Sequence, residues 1–189
     1  CGSKASLFRL AEGLEMHALS SHRAFNRVRN AVLYREPWKA VWSDVRDLPK
    51  RGRALQRGFL ALQMRQGGIA LAVVSAHFGL VASERLAHAM ELTDYVGSLE
   101  GAVAVGIDLN EGPEKPAARW MSDRLFDAFV VAGDESGNTF PTRAPSARID
   151  FLFVSSDITV HRAWVARTVA AGRGSDHLPV AGNIELPGP

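Results

Sequence analysis

Short apolar runs recur along the chain, and they constrain its fold more than any other feature. Alternating or continuous apolar character predicts β-strands at residues 31–34, 41–45, 58–64, 69–76, 102–107, 149–154, 160–169 and 178–184. Apolar residues at helical spacing predict helices at residues 4–14, from an N-cap at Ser83 to Leu99, and at 117–125. Strands interleaved with helices are typical of a layered α/β (α+β) fold with a mixed sheet.

The length and composition are those of one globular domain. At 189 residues the chain is long enough for a substantial core, so we treat residues 1–189 as a single domain. No apolar stretch is long enough to cross a membrane as a helix, so we expect no transmembrane segment. The net charge of +2 is too small to argue for a nucleic-acid partner by itself. We expect a monomer.

The start of the chain carries its only cysteine, Cys1. No disulfide can therefore form within the chain, and the cellular compartment stays open. Because the first residue is not Met, the chain is either processed or a fragment, and we favour the fragment. A Cys-Gly-Ser start also suits a lipid-modified cysteine, which stays as the alternative.

Acidic, amide and imidazole side chains stand where predicted strands begin or end. These residues are His77, Asp108, Asn110, Asp150, Asp176 and His177. Burying a charge costs several kcal/mol, roughly, unless the charge is paired or bound to a metal. Each residue alone has a structural explanation, such as a turn, a helix cap or a hydrogen-bonded histidine. Their repeated placement beside apolar runs instead indicates a shared site.

Several segments resemble, in the right order, the motifs of one known family. They are residues 29–33, 74–80, the helix beginning near Glu84-Arg85, 106–110, 138–141, 148–153 and 175–180. Arg-Ile-Asp-Phe at 148–151 and Ser-Asp-His-Leu-Pro at 175–179 are the most specific. On these motifs the chain resembles the endonuclease/exonuclease/phosphatase superfamily, the DNase I-like phosphoesterases, over roughly residues 5 to 185.

The resemblance implies both a fold and an activity. The fold would be a four-layer sandwich of two mixed β-sheets flanked by helices, DNase I-like and N-terminally incomplete. The activity would be hydrolysis of a phosphodiester or phosphomonoester by in-line attack of water. The expected cofactor is a divalent cation, Mg²⁺ or alternatively Mn²⁺, which offsets charge on the phosphate.

The resemblance also implies roles for individual residues. His177 would contact the scissile phosphate and transfer protons, and Asp150 would orient its imidazole. Asp108 would hold or deprotonate the attacking water, and Asn110 would donate a hydrogen bond to a phosphate oxygen.

Three further residues complete the predicted site. Asp176 would bind the metal through oxygen, as hard cations prefer. His77 and Asn30 would stabilise the negative charge of the transition state, with Asn30 in contact with the substrate.

Two departures from the family pattern leave a second interpretation open. Ile107 stands where the family has Gly before the Asp, so its side chain could displace Asp108. Two expected strands, one of them ending in the Glu that binds the metal, have no counterpart in the chain, and we expect them upstream of Cys1. The alternative function is therefore a catalytically silent relative that acts as a binding or structural module. A chance likeness in an unrelated α/β domain is a third interpretation.

The substrate stays open among nucleic acids, small molecules and lipid head groups. Basic residues cluster at Arg51, Arg53 and Arg57, and again at Arg143 and Arg148. A nuclease would use such clusters to follow a phosphate backbone. We favour the simpler interpretation, a solvated rim.

Overall fold

A six-stranded mixed sheet forms the centre of the computed structural model, which describes residues 3–23 and 27–188. Cys1 lies outside these residues. In chain order the elements are α1 (Lys4–Gly13), β1 (His17–Arg23), β2 (Arg27–Tyr34), β3 (Lys39–Asp47), β4 (Gly58–Gln66), β5 (Ile69–His77), α2 (Ala82–Val96), β6 (Ala102–Asp108), α3 (Pro116–Ser122), β7 (Phe126–Asp127), α4 (Ala128–Ala132), β8 (Asp150–Val154), β9 (Thr159–Val165), α5 (Val169–Gly174) and β10 (Val180–Glu185).

The strand order of the central sheet decides which strand ends meet. The order is β3-β4-β5-β6-β8-β7, in which β5 and β6 run parallel and every other pair is antiparallel. The last residues of β5 and β6 therefore lie at the same edge as the first residue of β8. That edge carries His77, Asp108 and Asp150 in adjacent register.

Helices cover one face of the central sheet, and two antiparallel ribbons cover the other. Helices α2 and α3 pack on a core that includes Phe59, Val74 and Phe153. The ribbons β1–β2 and β9–β10 pack on Leu60 and Leu62 of the opposite face. Because strands such as β4 are buried on both faces, their sequences are almost continuously apolar. Helix α1 packs in turn on β1 and β2.

The predicted α/β fold with a large mixed sheet and helices is confirmed. The second sheet of the predicted sandwich is present as two ribbons, and within the described ranges these ribbons share no strand pairing. Among the helices that the structure describes, none has the length and apolar character needed to cross a membrane.

Several local predictions need correction. Helix α2 has Val81, not Ser83, as its N-cap, and no side chain caps it. The strand predicted at 160–169 ends at Val165, because Thr168 caps α5 by accepting a hydrogen bond from the Ala171 N–H. Strand β1 was not predicted, since its sequence His-Ala-Leu-Ser-Ser-His-Arg has no apolar alternation. Its extended conformation is instead stabilised by pairing with β2.

Candidate active site

The three adjacent strand ends bring an imidazole and two carboxylates together. His77 pairs with Asp108 in the parallel register of β5 and β6, and Asp108 pairs with Asp150 in the antiparallel register of β6 and β8. The side chains of all three are partly buried. A cleft of about 440 Å³ is lined by Asp108, Asp150 and His177.

His177 reaches this edge from the loop before β10. Its Nδ1 lies 2.8 Å from Oδ2 of Asp150, and the same oxygen accepts a 2.6 Å hydrogen bond from the Thr139 hydroxyl. The loop is fixed by its backbone, since the Leu178 N–H donates to the Thr139 carbonyl at 2.9 Å. Thr139 therefore holds the Asp150 carboxylate, and Asp150 in turn orients the imidazole of His177.

The environment of His177 favours its protonated form. Burial alone would lower the pKa of His177, but the hydrogen bond and negative charge of Asp150 outweigh it and raise the pKa above its ordinary value. The charges of Asp108 and Asp176 act in the same direction.

The second histidine behaves in the opposite way. His77 Nε2 lies 3.2 Å from Oδ2 of Asp108. Burial lowers the pKa of His77, and the charges of Arg57 and His177 add to this, although Asp108 opposes it. Burial also raises the pKa of Asp108, with a further contribution from the charge of Asp150. Burial therefore favours the neutral form of His77, and Asp108 holds a proton more readily than an exposed aspartate does.

The loop after β6 is shaped by Asn110. Asn110 adopts a left-handed backbone conformation with φ of 54°. Its N–H donates to Asp108 Oδ1 at 2.9 Å, and its side-chain amide donates to the Phe78 carbonyl at 3.0 Å. Ile107 does not displace Asp108, because the Ile107 side chain is buried in the core under the helices and the strand register is kept.

The two remaining predicted residues lie at the margin of this group. Asn30 is buried, and its amide donates at 2.8 Å to the carbonyl of Gly58, which pairs with His77. Asp176 is exposed, and its side chain makes a 3.4 Å contact with the Ser175 hydroxyl. The structure thus brings Asp108, Asp150, His177 and His77 together but leaves Asp176 outside their group.

The chemistry of the group suits a divalent cation. Ligand atoms of Asp108, Asp150 and His177 all lie within 4.8 Å of one another. Ligands on opposite sides of Mg²⁺ are about 4.2 Å apart, so small side-chain shifts would close the site. Two carboxylates next to each other repel, and a cation would relieve this repulsion.

Some features of the site were not predicted from the sequence. Thr139 is fully buried behind Asp150, and although it lies in a recognised segment, a single Thr carries no signal of its own. The solvated-rim interpretation is wrong for two arginines. Arg57 is partly buried near His77, and Arg148 is paired with the buried Asp127.

Comparison with known proteins identifies the family. The sequence model of the Endonuclease/Exonuclease/phosphatase family matches residues 4–177. The chain belongs to this family. Its members are phosphoester hydrolases that generally depend on a divalent metal. No curated protein matches the sequence.

Solved structures of the family have the same fold. An endonuclease/exonuclease/phosphatase from Bacteroides vulgatus is 20% identical with a TM-score of 0.81, covering 95% of this chain and 80% of that one. The mannosyl-6-phosphatase Bt3783 of Bacteroides thetaiotaomicron is 17% identical with a TM-score of 0.83, covering 96% and 82%. TDP2 of D. rerio, complexed with a single-strand DNA product, is 16% identical with a TM-score of 0.81, covering 98% and 83%. At these identities the likeness concerns the fold.

Proposed function

We propose that the protein hydrolyses phosphoester bonds, phosphodiesters or phosphomonoesters, with the help of a divalent cation. The observation that carries this proposal is the meeting of Asp108, Asp150 and His177 at one strand edge, from segments far apart in the chain. Burying these charged groups lowers the stability of the fold. Core packing gives no reason to keep them, whereas catalysis at a phosphate does.

His177 acts on the phosphate and transfers protons. Its Nδ1 is hydrogen-bonded to Asp150 at 2.8 Å, so Nε2 is the nitrogen that contacts the substrate. A raised pKa keeps a larger share of the imidazole protonated near neutral pH, which suits a group that donates a hydrogen bond or proton to a developing negative charge.

Asp108 receives the proton of the attacking water. A carboxylate whose pKa is raised by burial is a stronger base than an exposed one. His77 lies beside Asp108, with its Nε2 3.2 Å from Oδ2 of that carboxylate, and stabilises the negative charge of the transition state. Asn110 uses one amide N–H on the Phe78 carbonyl, which leaves its second N–H for a phosphate oxygen. Asn30 supports this edge through Gly58.

The cation would be held by oxygen atoms of the acidic side chains. Carboxylate oxygens of Asp108 and Asp150 lie within 4.8 Å of one another, and hard cations such as Mg²⁺ and Mn²⁺ prefer oxygen ligands. Asp176 is kept as an additional proposed ligand, next to His177 in the chain. A bound cation offsets negative charge on the phosphate.

The decisive experiment is hydrolysis of bis(p-nitrophenyl) phosphate by the purified protein with Mg²⁺ or Mn²⁺, with and without a chelator. We expect metal-dependent release of nitrophenolate that chelation abolishes and that Asp108→Asn reduces by at least about a hundredfold. A folded protein that shows no metal-dependent turnover of mono- or diesters would favour the catalytically silent module instead.

A further inference from the structure

A second cleft lies beside the catalytic edge, between the loop that precedes β4 and the loop that follows β5. Its volume is about 300 Å³, and its lining includes Leu55, Arg57, Gly79, Leu80, Val81 and Glu84. Leu55 is 73% exposed and Leu80 is 71% exposed, and Val81 is exposed beside them. We call this cavity the Leu55–Leu80 cleft. Its rim is apolar, whereas the catalytic edge is polar.

Two residues that line the cleft, Arg57 and Gly79, lie close in the chain to residues of the catalytic edge. Arg57 precedes Gly58, which pairs with His77 across β4 and β5. On the other wall, Phe78 donates its N–H to the Asp108 carbonyl at 2.9 Å, and Gly79 follows it. Arg57 and Gly79 of the cleft are thus each next in the chain to a residue that contacts His77 or Asp108. A substrate bound at the catalytic edge would lie near the cleft.

Arg57 lies between the cleft and the catalytic edge, and one of its nitrogen atoms lacks a hydrogen-bond partner. Its Nε is buried and has no hydrogen-bond partner. Within residues 3–23 and 27–188, no carboxylate lies at ion-pair distance from its guanidinium. Burial lowers the pKa of Arg57, and the charges of Asp108 and Glu84 oppose this from beyond ion-pair distance. The planar fork of the guanidinium matches two oxygens of a phosphate. Its charge already reaches the site, since it lowers the pKa of His77.

The walls of the cleft are held in place by helix α2. The Gly79 N–H donates to Nδ1 of the buried His88 at 3.3 Å, so Nε2 carries the proton and donates to the Pro49 carbonyl at 2.6 Å. Glu84 accepts a hydrogen bond from the Arg51 N–H at 2.5 Å. A Cβ on Gly79 would lie 2.7 Å from the Glu84 carboxylate, so a larger residue here would force that carboxylate to shift. One helix thus ties both walls, and the cavity is pre-formed.

From these observations we infer that the Leu55–Leu80 cleft is the substrate subsite for an apolar organic group esterified to the scissile phosphate, and that Arg57 binds a non-bridging oxygen of that phosphate. The inference rests on the proposed function and narrows its substrate class to phosphoesters with an aryl or alkyl group. A polar group such as glycerol would leave Leu55, Leu80 and Val81 without a partner.

The first test is a series of p-nitrophenyl phosphodiesters whose second group is methyl, ethyl, propyl, butyl or phenyl. We expect kcat/KM to rise about threefold to fourfold per added methylene until the cleft is filled. The 2,3-dihydroxypropyl ester should react more slowly than the propyl ester. In the variant Leu55→Ser/Leu80→Ser the dependence on chain length should flatten. The matched control is Val130→Ser, at an exposed apolar position on α4, which should keep the wild-type dependence.

The role of Arg57 is tested separately. Arg57→Gln should lower kcat/KM for every ester by a similar factor, on the order of tenfold to a hundredfold, and Arg57→Lys should restore part of it. Arg9→Gln, at an exposed position on α1, is the matched control. If Arg57→Gln reacts like wild type, the phosphate contact is wrong.

Failure of this inference differs from failure of the proposed function. Hydrolysis of all esters at one rate, or an unchanged length dependence in the double serine variant, would overturn the subsite and leave the hydrolase standing. If no ester is hydrolysed, calorimetry of phenylphosphonate against methylphosphonate tests the subsite without turnover. Tighter binding of the phenyl compound, lost in the double serine variant, supports the cleft, and equal or absent binding overturns it.

Discussion

Two histidine–carboxylate pairs in this protein have nearly the same length and very different surroundings. His177 lies 2.8 Å from Asp150 at the catalytic edge, and His161 lies 2.9 Å from Glu185 on the β9–β10 ribbon. The side chains of the first pair are 24% and 20% exposed, against 50% and 69% for the second. The distance between the partners therefore does not distinguish them.

Support from neighbouring groups does distinguish the two pairs. Asp150 is held by the buried Thr139, and Asp108 adds a second carboxylate nearby. The His161–Glu185 pair bridges two exposed strand positions, where water screens the charges and the pair contributes little. A functional pair is recognised by what fixes its carboxylate and by what lies beside it.

The largest contrast is expected in catalysis. His177→Gln should reduce kcat/KM for phosphoester hydrolysis by about 10³-fold, because it removes the proton-transferring group. His161→Gln should change it by less than about twofold, as expected for an exposed pair. Steady-state kinetics with bis(p-nitrophenyl) phosphate compares the two. Thermal unfolding is the control, since a large loss of stability in His177→Gln would make that residue structural.

Removing the support of the catalytic pair should have an intermediate effect. Thr139→Val deletes the hydroxyl that donates to Asp150 and leaves this partly buried carboxylate with one partner fewer. We expect about a tenfold lower kcat, the size of a hydrogen bond to a charged group. Thr159→Val, at an exposed position on β9, is the matched control. Equal rates for the two variants would show that Thr139 does not orient the pair.

The titration of His177 sharpens the comparison without any turnover. In the metal-free protein its pKa should lie above the ordinary value of 6.5, because Asp150 outweighs burial. Asp150→Asn should lower that pKa, since it removes the hydrogen bond and the negative charge that oppose burial. The raised pKa also means that the pair stabilises the fold at low pH, and that this contribution is lost as pH rises through the pKa of folded His177. NMR titration of the imidazole signals measures both values, and a pKa unaffected by Asp150→Asn would contradict the account.

The smallest effect is expected from the exposed carboxylate. Glu185→Gln should leave both the melting temperature and kcat/KM within experimental error of wild type, because an exposed pair is worth at most about 1 kcal/mol. Circular dichroism melts and the same kinetic assay check this. A substantial loss of activity would mean that the β9–β10 ribbon takes part in the site.

The sequence predicts much of the central sheet for a simple physical reason. Strands β4, β5, β6 and β8 are buried on both faces, and their apolar runs are visible without a structure. Polar residues at the ends of such runs stand out, which is how His77, Asp108 and Asp150 were found. Strand β1 gives no such signal, because it is ordered by its pairing with β2.

The contacts that complete the site depend on loops that only the folded chain brings together. Thr139 meets Asp150 because the loop before β8 folds back on it. In the sequence, Arg57 is one of several basic residues in a polar loop. Only the folded structure shows that it lies near His77 and Asp108. The predicted metal ligand Asp176 lies outside the cluster for the same reason, since its side-chain direction follows from the loop before β10.

The most direct test of the proposed site is where a divalent cation binds. Substoichiometric Mn²⁺, which is paramagnetic, broadens the NMR signals of nearby protons. The account predicts that the imidazole signals of His177 and His77 disappear first, that His161 keeps its signals, and that Asp108→Asn abolishes this selectivity. Equal broadening of His161 and His177, or none at His177, would contradict it.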